Sequence, residues 1–269
     1  VPLDENMKIV DDIRIVSALP TIKKVVSDGG MAIILSHLGR PKNNFEEKFS
    51  LKNLVGRLSK LLDSPVFFCP NCIGEKTISD VRNMNNGDVI VLENLRFYAQ
   101  EAIGDDVFAE KLAGLGDVYI NDAFGAAHRA HASTSTIAKF FPNNKYFGFL
   151  FARELMCLEK VLHSPKRPFT AIIGGAKITG KIDVIKSLLD KVDNLIIGGG
   201  MAYTFIKAMG GEIGKSLYEE EKVFLAKQLI SEAEKKGVCL LLPCDSINGD
   251  AFNNLANTSK SNILSIDSN

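Results

Sequence analysis

Three apolar runs in the first half of the sequence are each followed by basic side chains, which together could bind a small polyanion. If the runs are parallel strands, their carboxyl ends meet at one edge of a sheet and the basic groups converge there. A planar guanidinium binds carboxylate or phosphate through two hydrogen bonds, so converging arginines suit a compact anion. The alternative is a set of unrelated surface arginines in local salt bridges. The residues that follow the runs are His37, Leu38, Gly39, Arg40, Arg96, His128, Arg129 and His131, and we expect Arg14 to join them.

A glycine-rich turn in the second half of the chain could hold a phosphate group. It runs from Gly174 to Lys181 (GGAKITGK), between an apolar run and a helical pattern. Glycine lets backbone N–H groups approach phosphate, and the start of the helix adds a favourable dipole. Lys177 and Lys181, four residues apart, can face the same anion. The turn also matches part of the P-loop pattern, but Ile182 stands where that motif needs Ser or Thr for magnesium.

A second glycine-rich turn, Gly198-Gly199-Gly200, follows the next apolar run. It is similar to a dinucleotide-binding fingerprint in which Tyr203 replaces the third glycine. For both turns, the structural alternative is tight packing of a helix on a sheet. Two adjacent turns with paired lysines favour a nucleotide-phosphate site. Together with the basic groups, they indicate phosphoryl transfer between two lobes that close to exclude water and align donor with acceptor.

The elements that must position these groups are apolar runs that alternate with amphipathic helical patterns. Several runs are apolar without alternation, as in strands buried on both faces of a parallel sheet. We therefore predict an α/β fold with two Rossmann-like three-layer α/β/α domains, joined by a helix, the second domain incomplete. The predicted ranges are 1–150 for the substrate domain, 151–164 for the connecting helix and 165–269 for the nucleotide domain. Helical patterns lie at 51–62, 149–163, 182–192 and 219–237, and strands are predicted at Met31–Ser36, Val66–Cys69, Val89–Glu93, Val118–Asn121, Phe169–Ile173, Asn194–Ile197 and Val238–Leu242.

Composition and charge exclude several classes of protein. The 269 residues carry 32 Lys plus Arg and 32 Asp plus Glu, and this zero net charge argues against a broad nucleic-acid surface. No apolar stretch is long enough for a transmembrane helix, and no signal peptide is visible. Five cysteines, an odd number, suit a reducing cytosol better than a disulfide framework. Cys69 and Cys72 have CxxC spacing, but a buried packing pair is favoured over a zinc or redox site.

Five segments of the sequence occur in an order that is highly specific. They are Ser36–Pro41 (SHLGRP), Leu92–Phe97 (LENLRF), Asp117–Ser133 (DVYINDAFGAAHRAHAS), Ile172–Lys177 (IIGGAK) and Ile196–Phe205 (IIGGGMAYTF). Together they closely resemble the phosphoglycerate kinase family, and the resemblance runs over the whole chain. Ile13–Ile22 and Leu242–Asp245 are also similar to segments of that family.

The resemblance implies a monomeric, cytoplasmic, two-domain kinase of glycolysis. Such an enzyme exchanges a phosphoryl group between 1,3-bisphosphoglycerate with ADP and 3-phosphoglycerate with ATP, using Mg²⁺. It also implies that Arg14 helps to stabilise the transferring group, with Lys177 and Lys181 near it. The implied substrate-binding residues are Arg14, His37, Leu38, Gly39, Arg40, Arg96 and Arg129, and the implied nucleotide-binding residues are Gly174, Gly175, Ala176, Lys177, Lys181, Gly198, Gly199 and Gly200.

Physical chemistry agrees with such a reaction. In the ATP-consuming direction the acceptor is a carboxylate, whose reference pKa is roughly 4, so it is ionised at neutral pH and needs no general base. A site rich in arginine and lysine, without an evident Asp–His base, fits that requirement. Catalysis must then come from alignment and from neutralising negative charge.

Relative to the family, the chain looks truncated at both ends, and the family residue that carries the metal–nucleotide is absent from it. We therefore expect no metal ligand within these residues and little or no turnover from the chain by itself. The expected partners are small molecules, with no nucleic acid and no membrane. Two alternatives remain: a P-loop-like NTPase that rests on Gly175 to Lys181, and a catalytically inactive anion-binding fragment.

Overall fold

The computed structural model describes residues 1–42, 44–251 and 253–267. Contacts between residues divide the chain into two compact units, Val1–Leu158 and Glu159–Asn269. The division falls inside one helix, Phe149–His163, most of which the sequence analysis assigns to the connection between domains. No helix of the described residues is long and apolar enough to cross a membrane.

The first unit is built on short parallel strands. They are β1 (Ala32–Ile34), β2 (Val66–Cys69), β3 (Val89–Leu92), β4 (Tyr119–Asn121) and β5 (Lys145–Phe147). In the main sheet β3 lies between β1 and β2, and Val89 pairs with both Ala32 and Val66. All residues of β3 are buried, which explains its unbroken apolar run. A separate parallel ladder joins β4 to β5.

Helices cover both faces of this sheet. They are α1 (Ile13–Ser27), α2 (Lys52–Leu62), α3 (Glu75–Arg82), α4 (Ala99–Ile103), α5 (Asp106–Ala113) and α6 (Phe149–His163), which continues into the second unit. Val91 of β3 packs in one core cluster with Leu19 of α1 and Leu58 of α2. Its neighbours Ile90 and Leu92 point the opposite way, into a second cluster with Phe108 and other residues of α5. The unit is therefore a three-layer α/β/α arrangement.

The second unit repeats this principle. Its strands are β6 (Thr170–Gly174), β7 (Asn194–Gly198), β8 (Glu212–Ile213), β9 (Cys239–Leu241), β10 (Asp245–Gly249), β11 (Thr258–Asn262) and β12 (Ser265–Ile266), and its helices are α7 (Ile182–Leu189), α8 (Met201–Ala208) and α9 (Val223–Lys235). The main sheet has the order β6-β7-β9 and is parallel. β8 pairs with β12 in parallel, and β10 and β11 form an antiparallel hairpin. The core joins Leu195 and Ile197 of β7 to Ile185 of α7, Phe205 of α8 and Leu229 of α9.

The predicted α/β fold with parallel sheets is confirmed. Each of the seven predicted strands is present, with its ends shifted by at most two residues. The predicted helical stretches 51–62, 149–163, 182–192 and 219–237 contain α2, α6, α7 and α9. After α9, Gly237 adopts a left-handed conformation (φ +69°), and the N–H of Val238 donates to the carbonyl of Ala233, so the helix ends at a glycine.

Candidate functional site

Asn94, buried at the end of β3, ties the loop after β1 to the turn that carries Arg96. Its side-chain amide donates to the carbonyl oxygens of Leu38 at 2.8 Å and Phe49 at 2.9 Å. Its Oδ1 accepts a hydrogen bond from the backbone N–H of Arg96 at 3.0 Å. The Nη1 of Arg96 in turn donates to the carbonyl of Gly39 at 2.7 Å. Because these bonds link both segments, the two loops keep one arrangement.

Glu93 supports the same arrangement from inside the unit. This carboxylate is buried and accepts hydrogen bonds from the hydroxyl of Ser50 at 2.7 Å and the N–H of Leu51 at 2.9 Å. It also accepts from the N–H of Asn94 at 2.7 Å. Buried polar groups need such partners, and here they fix the segment before α2 against the end of β3.

The basic residues that follow β1, β3 and β4 lie close enough for their charges to act on one another, although β4 hydrogen-bonds in its own ladder. We call His37, Arg40, Arg96, Arg129 and His131 the basic cluster. Burial lowers the pKa of Arg96, and the charges of Arg129 and Arg40 lower it further. Although its side chain reaches solvent, partial burial lowers the pKa of His37 to about 4, and the charges of Arg96, Arg129 and His131 act in the same direction. The cluster therefore concentrates positive charge of the kind that attracts a polyanion.

Two residues between His37 and Arg40 contribute through their backbone. The side chain of Leu38 is buried in the core, so only its peptide groups can face a ligand. Gly39 has φ +63°, and a Cβ there would lie 2.3 Å from the ring of Phe49. Only glycine fits this position, because any side chain would push the loop away from Phe49.

Arg14 lies at the border of the basic cluster. It is exposed in the first turn of α1. Val1 lies near both Arg14 and His37, which places Arg14 beside the loop that carries His37.

In the second unit, Glu219 holds the predicted phosphate turn, residues 174–181, which we call the lysine loop. Its buried carboxylate accepts hydrogen bonds from the N–H of Ile178 and from the hydroxyl and N–H of Thr179. Its own N–H donates to the hydroxyl of Thr204 in α8 at 3.1 Å. Burial acts to raise the pKa of Glu219, but these hydrogen bonds and the charge of Lys177 outweigh it and lower the pKa.

Both lysines of the loop are exposed. Lys177 lies directly before the anchored Ile178, and its charge acts on Glu219. Lys181 ends the short 3₁₀ turn Thr179–Lys181, where its N–H donates to the carbonyl of Ile178 at 2.7 Å. Glu219 therefore anchors the backbone between two free ammonium groups.

The glycines allow the lysine loop to pack directly on the second turn, residues 198–200, which we call the triple-glycine turn. Gly199 has φ +69°, and a Cβ there would lie 3.0 Å from the N and O atoms of Gly175. A Cβ on Gly200 would lie 3.2 Å from the carbonyl oxygen of Ala176. The N–H of Met201, at the start of α8, donates to the carbonyl of Gly175 at 2.8 Å. Close packing of backbone on backbone thus accounts for Gly199 and Gly200, and phosphate binding by these turns stays a prediction.

Metal binding finds no support among the residues that the structure describes. They contain no group of three or more His, Cys, Asp or Glu side chains that could hold a metal ion. The groups that the lysine loop presents are N–H and ammonium donors, whereas Mg²⁺ requires oxygen ligands. These residues do not fit a magnesium ion held by the protein.

The CxxC pair lies in the interior of the first unit. Cys69 ends β2, and both Cys69 and Cys72 are fully buried. The Cys72 thiol donates to the carbonyl of Glu93 at 2.8 Å. Burial, with the charge of Glu93, raises the pKa of Cys72 above its usual value. A protonated, buried thiol is unreactive, so the pair serves packing.

Three carboxylates and one amide that organise these loops, Glu93, Glu101, Asn94 and Glu219, are not among the residues predicted from the sequence. Acidic residues are usually exposed, and nothing in their spacing marks these as buried. One sequence feature could have indicated a role for Glu93 and Asn94: both stand at the end of an apolar run, just before Arg96.

Comparison with known proteins identifies close relatives along almost the whole chain. A family model described as phosphoglycerate kinase matches residues 1–268. The phosphoglycerate kinase of Chlorobium chlorochromatii is 49% identical over 274 residues, which cover 99% of this chain and 69% of that protein. The phosphoglycerate kinase of Pelodictyon phaeoclathratiforme is 53% identical over 247 residues, which cover 92% of this chain and 62% of that protein.

Solved structures of phosphoglycerate kinases also match this chain. Phosphoglycerate kinase from Coxiella burnetii has a TM-score of 0.77 at 40% identity, covering 98% of this chain and 66% of that one. Phosphoglycerate kinase from Pyrococcus horikoshii OT3 has a TM-score of 0.81 at 26% identity, and the match covers 99% of this chain and 67% of that one. The chain thus spans about two thirds of the length of the relatives it matches. The fold, the ordered motifs and these likenesses show that the chain belongs to the phosphoglycerate kinase family, a family of phosphotransferases.

Proposed function

We propose that the protein catalyses reversible phosphoryl transfer between 1,3-bisphosphoglycerate with ADP and 3-phosphoglycerate with ATP, a reaction of glycolysis. The observation that carries this proposal is the basic cluster, in which arginines from separate loops gather around a histidine of depressed pKa. Such a site suits a small ligand with several negative charges. The family, whose members are named for this reaction, supports the same assignment.

The first unit binds the phosphoglycerate. Arg40, Arg96 and Arg129 pair with its phosphate and carboxylate oxygens, and Arg14 approaches the transferring group from the border of the cluster. His37, Leu38 and Gly39 line the same loop. Hydrogen bonds from Asn94 keep that loop beside Arg96, so the guanidinium groups are in place before the ligand arrives.

The reaction needs no proton transfer from the protein. From 1,3-bisphosphoglycerate, the bond between the phosphorus and the acyl oxygen breaks, its electron pair stays on the new carboxylate, and a β-phosphate oxygen of ADP bonds to the phosphorus. In reverse, the carboxylate attacks the γ-phosphorus of ATP. His37, with its pKa of about 4, is a weak base and is neutral at physiological pH, in agreement with catalysis by alignment and charge.

The second unit binds ADP or ATP. Lys177 and Lys181 neutralise charge on the nucleotide phosphates and on the transferring group, and Gly174, Gly175, Ala176 and the triple-glycine turn lie against the nucleotide. Mg²⁺ would accompany the nucleotide and neutralise part of the charge on its phosphates. A P-loop NTPase is not favoured, because Ile182 lacks the hydroxyl that such enzymes use and the basic cluster would have no purpose.

We further propose that the protein works as a monomer in the cytoplasm. All five cysteines are free thiols, as is usual in a reducing compartment. Light scattering after gel filtration tests the monomer, and a dimer mass would contradict it.

Calorimetric titration of the 269-residue chain tests whether the first unit binds 3-phosphoglycerate and the second unit binds the nucleotide. Arg96→Ala should weaken 3-phosphoglycerate binding by about 10- to 100-fold, the effect of losing a hydrogen bond between charged groups, and leave ADP binding unchanged. Lys181→Ala should weaken ADP binding and leave 3-phosphoglycerate binding unchanged. Arg57→Ala is the matched control, because Arg57 is exposed in α2 and pairs with Asp12 outside the cluster. ATP hydrolysis that does not require 3-phosphoglycerate, or an equal loss of both ligands in each variant, would contradict the proposal.

A further inference from the structure

Glu101 is a buried carboxylate behind the basic cluster, and the proposed function gives it no role. Its side chain is 4% exposed. It accepts hydrogen bonds from the hydroxyl of Ser133 at 2.6 Å and from the N–H of Ser133 at 3.0 Å. Among the described residues, no lysine or arginine nitrogen lies within 4.0 Å of it, and its closest basic neighbour is Nδ1 of His131 at 3.7 Å. Burying a carboxylate is costly, so this arrangement demands a reason.

The short helix α4 that carries Glu101 is also fixed to the segment 130–136 through its backbone. The carbonyl of Glu101 accepts from the N–H of Ala132 at 2.9 Å. At the end of α4, the carbonyl of Gly104 accepts from the hydroxyl of Thr136 at 2.9 Å. Gly104 has φ +71°, and a Cβ there would lie 2.5 Å from the carbonyl oxygen of Ala130. The two segments are thus joined at the middle of α4 and just after its C-terminal end.

This attachment controls the loop that carries Arg129 and His131. Only three residues separate Arg129 from Ser133, and the carbonyl of Arg129 accepts from the hydroxyl of Thr134 at 3.0 Å. Among the residues that the structure describes, the side chain of Arg129 makes only a long hydrogen bond, 3.4 Å, from its Nε to Nε2 of His128. The backbone is held from behind, and the guanidinium stays available to a ligand.

The charge of Glu101 also acts on the cluster. Burial lowers the pKa of His131, and Arg129 and Arg96 lower it further, while Glu101 raises it. Glu101 likewise raises the pKa of Arg96, against burial and the charges of Arg129 and Arg40. One buried negative charge thus offsets part of the repulsion among the positive groups in front of it.

We propose that Glu101 is a positioning residue for phosphoglycerate binding: through Ser133 it holds the loop of Arg129 and His131 in place, and its charge stabilises the basic cluster before the ligand binds. This proposal rests on the proposed function of the cluster. Glu101 does not touch the substrate and acts only through the loop and the cluster's charges.

Two variants separate the hydrogen bond from the charge. Glu101→Gln removes the charge and places an amide where the carboxylate accepts two hydrogen bonds, so 3-phosphoglycerate affinity should fall about tenfold. Ser133→Ala keeps the charge and removes one hydrogen bond, so affinity should fall about fivefold. In NMR titrations, the pKa of His131 should fall in Glu101→Gln, because the charge that raises it is lost, but stay unchanged in Ser133→Ala. Glu101→Asp keeps the negative charge, so the pKa of His131 should stay close to its value in the unmodified chain.

Thr77→Val provides the matched control for simple loss of stability. Thr77 is fully buried in the same unit, and its hydroxyl donates to the carbonyl of Asn71 at 3.3 Å, outside the cluster. This variant should change neither 3-phosphoglycerate affinity nor the pKa of His131. An equal affinity loss in Thr77→Val and Glu101→Gln, or a loss of ADP affinity in Glu101→Gln, would overturn the proposal. The two proposals fail differently: absence of 3-phosphoglycerate binding by the unmodified chain contradicts the proposed function, whereas an unchanged His131 pKa in Glu101→Gln contradicts the role of Glu101 whether or not the ligand binds.

Discussion

Individual side chains of the basic cluster are held by different means. Arg96 has a direct hydrogen bond to the carbonyl of Gly39, whereas Arg129 depends on a loop fixed from behind. Burial is the largest cause of the depressed pKa of His37, and the positive charges of Arg96, Arg129 and His131 lower that pKa further. The titration of His37 therefore responds both to its burial and to the charges of the cluster.

We predict that His37 titrates near pH 4 in the folded protein and that Arg129→Ala raises this pKa toward 6.5. Between these pH values the unfolded chain binds a proton at this histidine and the folded chain does not. The contribution of His37 to stability therefore increases as the pH rises from about 4 to 6.5, and it is fully present above 6.5. NMR titration of the histidine ring measures the pKa, and Arg57→Ala should leave it unchanged. A His37 pKa of 6 or more at low salt, where the field of exposed charges is least screened, contradicts the prediction.

At the residue scale, the sequence indicated the basic side chains of the cluster but not the buried carboxylates that hold their loops. Arginine and histidine after apolar runs are visible in the sequence, because strand ends place them at a sheet edge. Glu93 and Glu101 could not be predicted, because their burial depends on hydroxyl and N–H donors 32 to 43 residues distant in the sequence. Only folding brings those donors to the carboxylates.

Among the elements, the lysine loop has a support like that of the Arg129 loop. Glu219 accepts from a hydroxyl and an adjacent N–H of Thr179, as Glu101 does from Ser133. In both cases a buried carboxylate fixes a loop that presents basic side chains. Anionic acceptors make stronger hydrogen bonds than neutral ones, which suits a loop that must resist repulsion within its ligand site.

We predict that Glu219→Gln weakens ADP binding about tenfold, because the amide cannot accept all the hydrogen bonds that order residues 177–181. Calorimetry measures the affinity, and amide hydrogen exchange should become faster at Ile178 and Thr179. Glu234→Gln is the matched control, since Glu234 is exposed in α9. Unchanged exchange at Ile178 together with unchanged ADP affinity would show that the carboxylate does not order the loop.

Some elements that the sequence analysis missed lack an apolar pattern or interrupt one. The strands β10 and β11 are largely polar and exposed, and their pairing consists of backbone hydrogen bonds that side-chain patterns do not reveal. α1 contains Pro20, which normally ends a helix, but here the helix continues to Ser27. β4 lies within the strand predicted at Val118–Asn121, yet it pairs with β5 instead of joining the main sheet, because pairing partners are not encoded in the run itself.

For the whole molecule, the two units have separate hydrophobic cores. The core clusters of the first unit lie within residues 1–141, and the main cluster of the second lies within residues 169–242. The alternation of strands and helices made this two-part α/β organisation predictable, since each βα repeat buries its own apolar face. The division, between Leu158 and Glu159, lies within α6, most of which the sequence pattern assigns to the connection between domains.

We predict that Ile185→Ala destabilises the second unit by about 2–5 kcal/mol and leaves the first unit unaffected. Ile185 is fully buried in α7 and packs only in the second unit's core. Amide hydrogen exchange during urea unfolding reports each unit separately. Val184→Ala, on the same helix but half exposed, should cost much less. If the amides of β3 lose protection as much as those of β7, the two cores unfold as one cooperative structure and the prediction is wrong.

The contact between the lysine loop and the triple-glycine turn has a consequence for affinity. Flexible glycine-rich loops normally lose conformational entropy when a ligand orders them, and this loss reduces the binding free energy. Here Gly174 pairs with Gly198, and Gly199 lies against Gly175, so contacts within the second unit itself order the two turns. The turns therefore lose their conformational entropy when the second unit folds. A nucleotide that binds at these turns would lose less free energy to ordering them and would bind more tightly.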